Sequence, residues 1–399
     1  MSHSSFEPFK AEKFISVRSA ALKPSGIRKF FDILDEMKDV VSLTVGQPDF
    51  VTPWHIREAG ISALEDGKTY YTSNSGLLEL RKEIAAYQKR RFGLEYNPKD
   101  EIVVTVGGSE AIDIALRAIL NPGDEVIVPE PSFVCYDPLV SLAGGVSVRL
   151  PLRAEDDFKL TPELLSSVIS EKTKALILPF PNNPTGAVLN KDELEEIADV
   201  IRQTNAFIIS DELYAELTYE ADHCSIASLD GMRERTVVVN GFSKAYAMTG
   251  WRLGYSLAPS EVTRQMVKIH QYCIMCAPTT SQYAAISALR EGDADIEYMK
   301  MHYDARRRYI IKRFAEMGIE CFTPGGAFYV FPNISRFGLS SEVFCERLLR
   351  EANTAIVPGN AFGESGEGFA RISYAYSLDH IEKALDNINR FIEKLKNEK

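Results

Sequence analysis

Residues 240–255 read NGFSKAYAMTGWRLGY. Lys244 follows Ser243 in a turn-rich segment after the apolar strand Thr236–Val239, and Arg252, eight residues on, opens a second apolar strand. Lysine is the side chain that forms Schiff bases with carbonyls. Serine and arginine are residue types that grip phosphate, the one through a hydroxyl and the other through a two-pronged guanidinium. Taken alone, a Ser-Lys pair near an arginine is an ordinary solvated turn. The rest of the chain decides between the two readings.

Upstream of this stretch the pattern is rhythmic. Strand EIVVTV (101–106) runs into Gly107-Gly108-Ser109-Glu110, and helix Ala111–Leu120 stops at Asn121-Pro122-Gly123. Strand EVIVP, helix Phe133–Ala143, strand SVRLPL and helix Pro162–Ser170 follow, then strand KALILP, helix Lys191–Thr204 and strand AFIIS. Alternating strands and helices imply βαβ units, hence an α/β fold with a mostly parallel sheet covered on both faces. Ligands in such sheets bind beyond the carboxyl ends of the strands.

The residues at those ends are suggestive. Gly107-Gly108-Ser109-Glu110 places free backbone N–H groups at a helix start, a ready phosphate site as well as a common turn. Phe133 follows the next strand, where an aromatic can stack on a planar ring or simply join the core. Asn183-Pro184-Thr185-Gly186 makes a rigid turn with an amide side chain over the sheet edge. Asp211 ends an apolar strand, so its carboxylate needs a partner, for which a protonated pyridine nitrogen would serve; Tyr214 lies three residues on. Earlier, VVSLTVGQPDF is a short strand ending at Gly46, where glycine permits close approach of backbone to ligand. Near the C-terminus, Arg371 sits inside an apolar strand and wants a carboxylate, internal or from a substrate.

Beyond Tyr255 the rhythm changes to helices (Glu261–Ile274, Thr280–Arg290, Asp295–Met317, Ser341–Glu351, Leu378–Lys396) with short strands AFYVFP and ARISYA. This is an α+β region, with a joint near Gly292-Asp293. Residues 1 to about 30 read as an N-terminal arm leading into an amphipathic helix at Ile27–Met37 that docks on a partner subunit. The expected division is an arm with part of the small domain over 1–45, a large domain over 46–292 and a small domain over 293–399.

A chain of 399 residues with ordinary globular composition can bury a large core. Its net charge of -11 argues against a nucleic-acid surface. The six cysteines are scattered; only Cys273 and Cys276 form a CxxC, without a second pair, so a reduced set without metal is expected. No apolar run approaches about 20 residues, and no apolar leader follows Met1. A cytoplasmic protein that does not engage membranes is the expectation.

From about Ser25 to the C-terminus the chain closely resembles the fold-type I, class I/II aminotransferases that use pyridoxal 5'-phosphate. The resemblance is carried by SLTVGQPDF, YYTSNSGLLELR, VTVGGSEAI, PNNPTG, SDELYAELTY, GFSKAYAMTGWRLGY, GGAFYVFP and ARISYA, in the family's order. It implies a large domain with a seven-stranded sheet and a smaller α+β domain. It also implies that Lys244 carries the cofactor as a Schiff base, that Asp211 pairs with the pyridine nitrogen, and that Tyr214 and Asn183 bond the ring oxygen. Phe133 takes the place of the stacked aromatic, where many relatives have Trp or Tyr. Gly108, Ser109, Glu110, Ser243 and Arg252 fall to the phosphate cup. Tyr71 would reach the phosphate of the neighbouring subunit in a homodimer with shared sites. Gly46, Asn183 and Arg371 would hold the substrate, with Arg371 clamping its α-carboxylate.

The physics agrees with such roles. Lysine near pKa 10.4 is neutral about once in a few thousand molecules at pH 7, so Lys244 must be tuned down by burial and cationic neighbours. An aspartate about 4 Å from a pyridinium contributes roughly 4 kcal/mol at intermediate dielectric, about three pK units. The implied reaction is a ping-pong transfer of an amino group from an L-amino acid, neutral or aromatic first and aspartate second, to a 2-oxo acid such as 2-oxoglutarate or pyruvate. Some aspartate-using relatives place a lysine where this chain has Ser109. The rivals are a carbon–sulfur β-lyase or a cyclopropane-forming synthase on the same fold, and a pyridoxal-phosphate-sensing regulator.

Overall fold

Apolar residues alternate sides along the central strands, and this alternation builds the molecule. Ile127, Leu176 and Ile208 face one helical layer, while their neighbours Val126, Val128, Ala175, Ile177 and Ile209 face the other. The computed structural model describes residues 10–22 and 39–398, and the helix expected at Ile27–Met37 lies outside them.

The sheet has seven strands in the order β2-β8-β7-β6-β5-β3-β4: β2 (Ile102–Thr105), β3 (Glu125–Glu130), β4 (Val146–Pro151), β5 (Thr173–Leu178), β6 (Phe207–Asp211), β7 (Thr236–Gly241) and β8 (Gly254–Leu257). The pairs among β3 to β7 are parallel, and β8 runs antiparallel to both its neighbours. The expected α/β architecture is therefore present. Strand β1 (Val41–Ser42) stands outside this sheet and pairs with β10 (Thr354–Ala355).

One face is covered by α6 (Pro162–Val168) and α7 (Lys191–Arg202), and the opposite face by α4 (Gly108–Ile119), α5 (Tyr136–Ala143) and α8 (Ser260–Cys273). Helix α7 illustrates the local logic. Asn190 Oδ1 accepts from the Glu193 N–H at 3.0 Å while Glu193 Oε2 accepts from the Asn190 N–H at 2.8 Å. This reciprocal cap starts the helix, and Leu194, Ile197, Ala198 and Ile201 then fall on its buried stripe.

A separate apolar cluster gathers the C-terminal elements: α10 (Asp293–Met317), α11 (Ser341–Ala352) and α12 (Leu378–Asn397), with β9 (Tyr329–Val330) and β12 (Ala370–Ser373). Val41 and Leu43 join this cluster. Helix α9 (Thr279–Glu291) gives way to α10 at Gly292. No described helix is long and apolar enough to cross a membrane. The short strands β10 and β11 (Val357–Pro358) carry no alternation of their own and were not expected; pairing with β1 and β12 defines them.

Candidate active site

Because β2, β3, β5, β6 and β7 run the same way, their carboxyl ends share one edge. Strand β8 runs the other way, which brings its amino end, just after Arg252, to that same edge. There a cavity of about 410 Å³ opens, a size suited to a small cofactor with substrate. Its lining includes Gly46, Gly108, Ser109, Phe133, Asn183, Asp211, Tyr214, Ser243, Lys244, Arg252 and Arg371. Residues separated by more than 300 positions thus converge.

Lys244 lies at the centre. Its Nζ donates a 2.6 Å hydrogen bond to the Gly46 carbonyl, 5.5 Å from the ring centroids of Tyr214 and Phe328. Burial, aided by Arg371 and Arg252 and opposed by Asp211, brings its pKa down from 10.5 to about 8. A lysine so tuned carries a reactive neutral fraction near neutral pH.

Asp211 ends β6 with its carboxyl pushed up by burial. Tyr136 Oη donates to Asp211 Oδ2 at 2.7 Å and the Leu213 N–H donates to Oδ1 at 3.2 Å, both opposing that shift. No described cation forms an ion pair with Asp211, so a cationic ring nitrogen would complete its surroundings.

Arg371 is 4% exposed. Its Nη1 donates to Asn183 Oδ1 at 3.0 Å and its Nη2 to the Thr44 carbonyl at 2.5 Å, while Nε is buried without a partner. The rings of Tyr329 and Phe362 lie 4.7 Å from its guanidinium carbon. No described acid pairs with it. The internal salt bridge weighed from sequence is absent among the described residues, and the arginine remains available to an anion entering the cavity.

The other end of the cavity suits phosphate. Helix α4 begins at Gly108, where first-turn N–H groups have no acceptor within the helix. Gly107, at φ 79°, holds a backbone conformation that L side chains rarely adopt, and a Cβ there would lie 2.7 Å from an Arg252 guanidinium nitrogen, which would have to move. Arg252 itself is held left-handed, at φ 51°. Gly108, Ser109, Ser243 and Arg252 all line this end. Phosphate donors here, an aromatic at Phe133, a buried carboxyl at Asp211 and a depressed lysine fit a phosphorylated pyridine aldehyde.

One of the expected site residues is placed elsewhere. Glu110 turns its carboxylate away from the cavity, accepting from the Val106 N–H and from His270 Nδ1, the latter at 2.7 Å. At the third position of its helix a glutamate reaches back to cap the turn, which leaves only its backbone near the phosphate end. Tyr71 is 76% exposed and does not line this chain's own cavity.

The structure adds Tyr136 and Tyr329, to which the sequence assigned no role. Tyr329 Oη lies 2.7 Å from Tyr214 Oη. Tyr136 lies three residues past Phe133, on the inner side of α5. That spacing was the available signal, but its partner is 75 positions away. Among the described residues no cluster of His, Cys, Asp or Glu is arranged to hold a metal.

Comparison with known proteins agrees with this geometry. The family model described as aminotransferase class I and II matches residues 38–388. The putative aminotransferase YugH of Bacillus subtilis is 53% identical over 373 residues, covering 94% of this chain and 97% of its own. The aspartate aminotransferase of Pyrococcus abyssi is 48% identical, covering 96% and 99%. The crystal structure of an aromatic aminotransferase from Pyrococcus horikoshii superimposes with a TM-score of 0.88 at 48% identity, covering 92% of this chain and 99% of that one. The chain belongs to the class I and II aminotransferases, enzymes that transfer amino groups with pyridoxal phosphate.

Proposed function

We propose that this aminotransferase takes its amino group from a neutral or aromatic L-amino acid, with aspartate second, and passes it to a 2-oxo acid such as 2-oxoglutarate or pyruvate. The observation that carries this reading is the set of cations around the cavity: Lys244, Arg252 and Arg371. In this reading the first holds the cofactor, the second its phosphate and the third the substrate α-carboxylate. No further described Lys or Arg lines the cavity to meet a side-chain carboxylate, and apolar Val45, Ile112 and Leu213 share the wall. Relatives at similar identity bear both names, an aspartate aminotransferase at 48% and an aromatic-amino-acid aminotransferase of Thermococcus litoralis at 45%.

Pyridoxal phosphate, when bound, supplies the electron sink that makes the α-hydrogen of the amino acid acidic. The protein's residues do the rest. Asp211 holds the ring nitrogen charged, Tyr214 and Asn183 bond the ring oxygen, and Phe133 covers the ring. Gly108, Ser109, Ser243 and Arg252 hold the phosphate. Arg371 and Gly46 orient the amino acid, and Lys244 moves the proton at its α-carbon. The 2-oxo acid product leaves before the second substrate enters.

The working unit in this reading is a homodimer in the cytoplasm. Tyr70 and Tyr71 form an exposed aromatic ledge, fastened through Thr279 Oγ1 to the Tyr70 carbonyl at 2.7 Å and through Asn74 to the Met275 carbonyl at 2.9 Å. A second copy seated on this ledge would receive the Tyr71 hydroxyl at its own phosphate end. All six cysteines are free, which suits a reducing compartment.

A visible spectrum of the holoenzyme tests the reaction, with Lys244→Ala beside it. Bleaching by one class of amino acid, with release of the matching 2-oxo acid, supports transamination and names the donor. A band unchanged by every amino acid, or bleaching only with pyruvate and ammonia release, overturns it in favour of a β-lyase or a sensor.

A further inference from the structure

Tyr329 sits where the separate parts of the site meet. Strand β9 pairs antiparallel with β12, Tyr329 opposite Ser373, so Arg371 is a diagonal neighbour on the same face. The tyrosine ring lies against the Arg371 guanidinium at 4.7 Å, and Phe362 lies at 4.7 Å as well. Its hydroxyl reaches 2.7 Å from the Tyr214 hydroxyl. The same hydroxyl fills the space that a side chain at position 46 would need, since a Cβ on Gly46 would overlap it. The carbonyl of Gly46 in turn accepts from Lys244. Tyr329 is 1% exposed overall and still borders the cavity.

We infer that Tyr329 is a positioning residue that serves both halves of the site: its ring holds the Arg371 fork flat for a carboxylate, and its hydroxyl orients the Tyr214 hydroxyl. The inference rests on the reading that Arg371 takes the substrate α-carboxylate and Tyr214 the cofactor's ring oxygen. An aromatic face fixes the plane of a guanidinium without consuming its N–H groups, so those not given to Asn183 and Thr44 stay available to an anion. When Tyr329 is the donor in that pair, Tyr214 keeps its own O–H to direct at the cofactor.

The test uses the holoenzyme and 3-phenylpropionate, a carboxylate with no amino group to react, titrated by calorimetry. Arg371→Leu is expected to weaken binding by about a hundredfold. Tyr329→Leu is expected to weaken it by about tenfold, and Tyr329→Phe, which keeps the ring, by less than about twofold. The hydroxyl is read separately: Tyr329→Phe raises the pH midpoint of the holoenzyme's visible band by several tenths of a unit, because Tyr214 loses its partner. A purely structural ring would not move that midpoint.

Equal binding by wild type and Arg371→Leu would overturn the carboxylate reading, and this inference with it. Loss in Arg371→Leu with wild-type binding in a folded Tyr329→Leu would overturn the inference alone. Should Tyr329→Leu fail to fold, Tyr329→Phe decides, since an unmoved midpoint overturns the coupling to Tyr214.

Discussion

Tyr136 Oη donates a 2.7 Å hydrogen bond to Asp211 Oδ2, joining the helix after β3 to the end of β6 across the intervening β5. The carboxyl of Asp211 is pushed up by burial, and this hydrogen bond opposes the shift. The arrangement favours the charged carboxylate at a buried site, where in the proposed reading the cofactor's ring nitrogen would meet it.

Tyr136→Phe is therefore expected to destabilise the cofactor-free protein at neutral pH. Asp211 titrates above its ordinary 3.8 in the folded state, so it costs stability at pH values above that folded pKa. Losing the phenol deepens the cost by about 1.5–3 kcal/mol, the range for a hydrogen bond to a charged group. Urea unfolding at pH 7 should show the loss, and the gap to wild type should narrow as pH falls through the folded pKa towards 3.8.

Lys244 gives the opposite case for a base. Its pKa is lowered to about 8 from 10.5, so the unfolded chain binds the proton more tightly. Between those values stability of the cofactor-free protein rises with pH, and below about 8 the full penalty, up to about 3 kcal/mol, is present. Lys244→Met should then be more stable than wild type at pH 7, with the advantage vanishing towards pH 10.5. A gap that did not change with pH would argue against a depressed lysine.

Arg371→Lys keeps the charge but loses the fork and the ring contacts at 4.7 Å. The expected loss in kcat/KM for the amino acid is about a hundredfold, the size of a charge-assisted bidentate pair. The holoenzyme's visible band should stay at its wild-type position. A change in cofactor affinity of the same size would move Arg371 to the cofactor instead.

Glu110 and His270 hold the start of α4 from behind. His270 is fully buried with Nδ1 on Glu110, and Glu110 caps the Val106 N–H. Glu110→Ala frees that turn and leaves a buried imidazole unpaired, so stability should fall by about 1–3 kcal/mol. Because Gly108 and Ser109 lie between Val106 and Glu110, equilibrium dialysis should also find weaker pyridoxal phosphate binding. Unaltered binding alongside lowered stability would confine the pair to a structural role.

Much of the fold was legible because its signals are local. Alternating strands and helices and the stop at Asn121-Pro122-Gly123 each act within a few residues, so the βαβ rhythm and the ligand edge followed from spacing. That edge in turn made Lys244, Asp211, Asn183 and Gly108 candidates before any contact was known. The sequence by itself determined which residues stand at the strand ends and which chemistry they can perform. Strand order, the antiparallel sense of β8, and the meeting of Tyr136 with Asp211 and of Tyr329 with Arg371 and Tyr214 were decided only in three dimensions. Such pairings join positions far apart in the chain, and local periodicity carries no trace of a partner that only packing brings near. The same holds for Glu110, whose place in a phosphate-loop motif suggested a ligand, while the nearby His270 turned it into a cap.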